Sequence, residues 1–156
     1  MTHAEDAHRL FTDAIGKPEG HGDWLEITQE RVNAFADVSE DHQFIHVDPE
    51  AAAQTPFGGP IAHGFLTLSL LTVLSSTIPQ DPGLRAGAVM GVNYGFDKVR
   101  FVSPVRVGKR IRASAVVAAV EIKGNNLQTT RTMTVEIEGE AKPALVADWV
   151  TRIVYS

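Results

Sequence analysis

Cysteine is absent from the chain, so disulfides, thiolate metal sites and a cysteine nucleophile are all excluded. A strong positive charge is also missing. The net charge is −5, which argues against a general nucleic-acid binder, normally a basic protein. No apolar run is long enough for a membrane span, which needs about 20 predominantly apolar residues. The nearest approach, Ile61 to Ile78, carries His63 and several hydroxyl side chains and ends at Pro79. The first ten residues hold no apolar signal core, so a cytoplasmic location is expected, with no membrane partner. No serine sits in a nucleophile elbow. The glycine-rich segment FGGPIAHG lacks both the dinucleotide fingerprint and the Lys-Ser/Thr ending of a phosphate loop. There are no internal repeats and no low-complexity linker, and 156 residues suffice for a single domain, 1–156, with one sizeable core.

What is present divides into two halves. In the first, Ala4 to Ile15 reads as a short amphipathic helix, the main part of an N-terminal helical extension over 1–22 that ends in the loop GKPEGHGD. WLEIT is a short strand candidate. Val32, Phe35 and Ala36 recur at helical spacing over Gln29 to Val38, behind Thr28 as N-cap. Asp48-Pro49 has the form of a second helix start. A long helix, apolar nearly all round and therefore buried, is expected from Gly64 to Thr77.

The second half changes period. Leu127, Thr129, Arg131, Met133, Val135 and Ile137 alternate with polar residues, and Leu145, Ala147, Trp149, Ile153 and Tyr155 mark one face of another strand. Ile111, Ala113, Ala115, Val117 and Ala119 define a third, AVMGVNYGF adds a fourth, and KGNN marks a hairpin. Long strands on short turns pair antiparallel. The fold class expected is α+β, with an antiparallel sheet wrapped around one long central helix, the hotdog arrangement.

The segment SEDHQFIHVDPE packs four acids and two histidines around Phe44 and Ile45. Asp41 and His46 are five apart, a poor spacing for two side chains meeting on a helix but workable in a loop anchored by its apolar pair. Loops also collect solvated Asp and His, and the spacing alone does not choose between the two readings. A metal held by His42 and His46 is disfavoured, because Asp48-Pro49 limits any helix there and no third ligand has a sensible spacing. Gly64, opening the long helix, would leave a backbone N–H free to stabilise an oxyanion.

The stretch FADVSEDHQFIHVDPEAAAQTPFGGPIAHGFLTLSLL, Phe35 to Leu71, resembles the signature of the MaoC-like family, the (R)-specific enoyl-CoA hydratases of hotdog fold. With NYGFDKVRF, Asn93 to Phe101, it is most similar to the nodulation protein N-like subgroup. The resemblance implies reversible addition of water to trans-2-enoyl thioesters, with Asp41 as base, His46 as acid and Gly64 as the oxyanion donor. It places Gln43, Phe44, His63, Ser69 and Thr72 on the substrate side. Many members carry Asn-Pro where this chain has Gln43-Phe44, a difference that bears on acyl preference. The substrate implied is a coenzyme A or acyl-carrier-protein thioester, with no metal and no other cofactor, and a homodimer is expected. Lys98, Arg100, Arg106, Lys109, Arg110 and Arg112, six of the 14 basic residues, could meet an anionic carrier. Two other classes share the fold: an acyl-CoA thioesterase, and a subunit of a 3-hydroxyacyl-ACP dehydratase.

Overall fold

The computed structural model describes residues 1–156. The strict alternation of the second half becomes the sheet. Four long strands carry it: β3 (Ala88–Phe101), β4 (Arg110–Lys123), β5 (Asn126–Ile137) and β6 (Leu145–Tyr155). With the short β1 (Pro18–His21) they run in the order β1-β4-β5-β6-β3, every neighbour antiparallel, and β2 (Leu25–Glu26) also pairs with β4. On β5 the buried residues are the six that the alternation selects, from Leu127 to Ile137. This is the hotdog architecture that the sequence pattern implies.

Six α-helices and one 3-10 helix (Pro82–Arg85) complete the chain, the former being α1 (His3–Ala14), α2 (Gln29–Ser39), α3 (Phe44–Val47), α4 (Pro49–Ala53), α5 (Gly64–Ser69) and α6 (Leu71–Ser76). Thr28 caps α2 by accepting from Arg31 N–H, and Asp48 caps α4 by accepting from Ala51 N–H, with Pro49 in the first turn. The main core joins Leu66, Leu70, Leu71 and Leu74 of the central segment to the inward faces of β4, β5 and β6. A second cluster seats Ala4, Ala7 and Phe11 of α1 on Val117, Leu127, Ile153 and Tyr155.

Three expectations are corrected. The central helix is two short helices that break at Leu70: the Leu66 carbonyl still accepts from Leu70 N–H at 3.0 Å, but the ladder lapses at the carbonyls of Thr67, Leu68 and Ser69. The 1–22 segment is not wholly helix and loop: Pro18–His21 is a strand on β4. A glycine-rich sequence hides it, since the strand is stabilised by its partner and not by its own side chains. On β4, Ala119 is exposed, because the register shifts between Val117 and Ala119 and the extra residue reverses the alternation beyond it.

Arg131 lies on the inward face of β5, between Thr129 and Met133. Its Nε donates to Glu19 Oε2 of β1 at 2.9 Å, with the two side chains only 9% and 10% exposed. Removing one partner leaves a buried charge uncompensated. Glu19→Ala should therefore lose about 3–5 kcal/mol in urea unfolding, and Glu19→Gln/Arg131→Gln should recover part of it. A loss below about 1 kcal/mol in the single variant would contradict this account.

Candidate active site

The site forms where the chain leaves α2. Glu40 ends that helix in the left-handed region, φ 62°, the one non-glycine residue there. The turn that follows is short: Gln43 N–H donates to Asp41 Oδ1, and α3 then carries His46 inward. His46 is buried, 6% exposed, which overturns the solvent-facing reading of the loop. Phe44 does not anchor the loop, being 47% exposed; Ile45 does, and its carbonyl accepts from Ile61 N–H at 2.9 Å.

Ile61 returns the favour. Its carbonyl receives a hydrogen bond from His46 Nδ1 at 2.7 Å. A carbonyl can only accept, so Nδ1 carries the proton and Nε2 of the neutral ring has a free lone pair. That nitrogen is 4.0 Å from Asp41 Oδ2, whose side chain is half exposed. Burial pushes the His46 pKa below its ordinary value, although the Ile61 carbonyl and the Asp41 carboxylate pull the other way. The ring is therefore neutral near neutral pH.

His63 is not on the pocket wall. It is buried behind the dyad, its ring stacked on His46 at 3.8 Å and tilted against Phe35. Its Nε2 donates to the Asp41 carbonyl at 2.9 Å, so it braces the loop that carries the carboxylate. One atom each of Asp41, His46 and His63 lies within 4.8 Å of the others. The two rings are nearly parallel, 24° apart, so their in-plane lone pairs do not converge well on a shared ion. His42 is exposed and pairs with Asp37 at 3.0 Å.

Gly64 follows His63 and opens α5, and its N–H makes no hydrogen bond within the chain. A Cβ at this position would stand 3.1 Å from the Phe101 ring, tighter than ordinary contact, so the ring would have to yield by a few tenths of an ångström to admit one. His46, Gly64, Thr67 and the segment Phe101 to Val105 line one cavity of ≈ 320 Å³. Ser69 and Thr72 line a separate hollow with Phe65, Phe96 and Trp149. Gln43 is exposed and belongs to neither. Sequence reasoning missed the Phe101–Val105 wall; the proline that ends the long strand, Pro104, was its one local signal.

Two of the six residues of the expected basic patch are ion-paired. Arg110 pairs with Glu138, Arg112 pairs with Glu136 and lies over Trp24, and Arg106 donates to the Gly58 carbonyl. Lys98 and Lys109 form no ion pair. No helix is long and apolar enough to cross a membrane.

Residues 11–139 match the family described as "MaoC like domain". The chain belongs to the MaoC-like family. It is 51% identical over 142 residues to 3-hydroxyacyl-thioester dehydratase Z of Mycobacterium tuberculosis, covering 90% of this chain and 91% of that protein. It is 48% identical to Nodulation protein N of Rhizobium leguminosarum bv. viciae, with 90% and 87% covered. Among solved structures, the (R)-hydratase from A. caviae superposes with a TM-score of 0.69 at 29% identity, covering 88% of this chain and 94% of that one. The MaoC-like assignment agrees with the sheet, and the hydratase and dehydratase names of these relatives are those of hydro-lyases.

The geometry separates the two histidines of this loop. Burial lowers the pKa of His46, whereas the Asp37 hydrogen bond raises that of His42. In an NMR titration His46 should hold its neutral form to below about pH 6.5 and His42 should protonate above it. The reverse order would contradict the burial of His46.

Proposed function

We propose that the chain is a hydro-lyase that adds water to trans-2-enoyl thioesters and removes it from (R)-3-hydroxyacyl thioesters. The observation that carries this reading is the neutral, buried His46, with Nδ1 held by a carbonyl and Nε2 turned toward Asp41. A gap of 4.0 Å lets one water bond to both groups at ordinary hydrogen-bond lengths.

The roles differ from those the family resemblance implies. His46 enters without a proton on Nε2, so it cannot begin as the acid. It takes the proton from water as oxygen attacks the β-carbon, becoming an imidazolium beside the Asp41 carboxylate. It then gives that proton to the α-carbon on the same face. The balance is one water added, with a syn outcome. Asp41 orients the water and stabilises the charged ring. Meanwhile negative charge grows on the thioester oxygen, and the unpaired Gly64 N–H suits it. With a helix of only six residues behind it, that donor acts chiefly through its hydrogen bond. No metal or redox cofactor enters these steps.

Loss of enoyl absorbance with crotonyl-CoA tests this reading. Asp41→Asn and His46→Gln should each cut turnover by about a hundredfold or more with the fold retained. Because His46 must start neutral, kcat/KM should hold as pH falls and drop only below the ordinary histidine range. Near-wild-type turnover in either variant would overturn the dyad, and release of free thiol in place of hydration would identify a thioesterase.

We infer also that two copies of the chain associate through β3. Its 14 residues pair with β6 on one edge only, and Met90, Val92, Tyr94 and Phe96 are exposed along it. A long apolar edge of this kind is an open template for another strand, and a second copy satisfies it with two-fold symmetry. Light scattering should give the mass of a dimer. A monomer with full activity at nanomolar concentration would contradict the pairing.

A further inference from the structure

The inward face of β5 contains one charged residue, Arg131, and the ion pair with Glu19 does not exhaust it. Arg131 donates from Nε to Glu19, yet its Nη2 is buried and has no partner. Glu19 is fully engaged: Oε2 takes Arg131, and Oε1 accepts from Gln80 Nε2 at 3.2 Å. The guanidinium borders a cavity of ≈ 310 Å³ in a wall of hydroxyls and amides that includes Ser75, Ser76, Thr129 and Thr151. A second guanidinium, Arg85, lines the same cavity. Two arginines and one carboxylate leave the region net positive, with the Arg131 Nη2 donor unfilled.

This cavity borders a second hollow, and the packed rings of Phe65 and Phe101 stand between that hollow and the His46 pocket. Thr72, Asn93 and Trp149 line both it and the apolar hollow under α5 and α6. That hollow begins at Phe65, whose ring meets Phe101 edge-on at 6.0 Å, and Phe101 is a wall of the dyad pocket. From Gly64 to Ser75 the central segment, two short helices, spans at most roughly 16 Å at helical rise, a distance that an extended acyl chain covers. The passage is apolar near Phe65, Leu68 and Phe96, and polar and cationic at its far end.

We propose that the far cavity receives the end of the acyl chain away from the thioester, and that it selects a chain ending in a carboxylate. The inference rests on the hydro-lyase reading above and names the substrate class for that same site. A methyl end would leave the Arg131 Nη2 donor unpaired among polar walls. A carboxylate accepts two parallel N–H bonds from a guanidinium and neutralises the excess charge. Arg131 is then a specificity residue, held in place by Glu19 and Gln80, and takes no part in the proton chemistry.

The test is a length series of trans-2-enoyl-CoAs, each chain made once with a methyl end and once with a carboxylate end. Crotonyl-CoA, too short to reach the cavity, reports the basic reaction alone. At lengths that reach Arg131, kcat/KM should favour the carboxylate-ended member by about tenfold or more, the scale of a charge-assisted hydrogen bond. In Glu19→Gln/Arg131→Gln, which removes both charges together, the ratio of the two should fall to about one. If crotonyl-CoA is hydrated but methyl-ended chains match or beat carboxylate-ended ones at every length, the proposal is overturned and the hydro-lyase reading stands. If no enoyl thioester is hydrated at any length, both fall. The wild-type comparison requires no variant, so it decides the matter even if the double variant does not fold.

Discussion

The hydrogen bond from His46 Nδ1 to the Ile61 carbonyl is the constraint on which the site depends. It fixes the tautomer, so the lone pair of Nε2 faces Asp41. It also ties the loop after α2 to the segment entering α5, with the reciprocal Ile61 N–H to Ile45 carbonyl bond as its partner. Ile61 is clamped on its other side too, because the Ala62 N–H reaches the Val105 carbonyl and Ile61 bridges to Arg106. Dyad, glycine donor and cavity wall are thus held in register by neighbouring backbone groups. A side-chain contact alone would leave the imidazole free to rotate about its bonds; a bond to fixed main chain does not.

Much of this was legible in the sequence, for reasons that differ by element. The inward faces of β5 and β6 could be read because alternation is a local property of each strand. Asp41, His46 and Gly64 could be read because the residues between them form one continuous motif. What could not be read depends on contacts distant in sequence. β1 exists because β4 offers it an edge. The Phe101 wall closes on Gly64 from a different half of the chain. Two arginines of the expected carrier-binding patch, Arg110 and Arg112, are paired by Glu138 and Glu136, which meet them only through strand register. The break at Leu70 is a lapse in the backbone ladder, which apolar periodicity does not record.

Burial and charge divide the work between the two hollows. Near His46 burial suppresses charge on the ring in the resting state, and in the proposed reaction charge forms there only in passing. Near Arg131 a charge is already present, buried, and only partly answered. The first arrangement suits proton movement, and the second suits recognition of a fixed anion. Both lie along the same central segment, one at each end, with the apolar faces of α5 and α6 between them.

Several atoms at the reacting centre belong to the main chain: the carbonyl of Ile61 that orients His46, the carbonyl of Asp41 that His63 grips, and the N–H of Gly64. Inheritance acts on side chains, and every residue type brings the same carbonyl. A change of Ile61 to another apolar residue would alter the wall and spare the acceptor. The reaction is thereby insulated from much of the drift that could reshape the passage beside it. A lineage built on this frame can change what it accepts many times over while altering very few of the groups that move the proton.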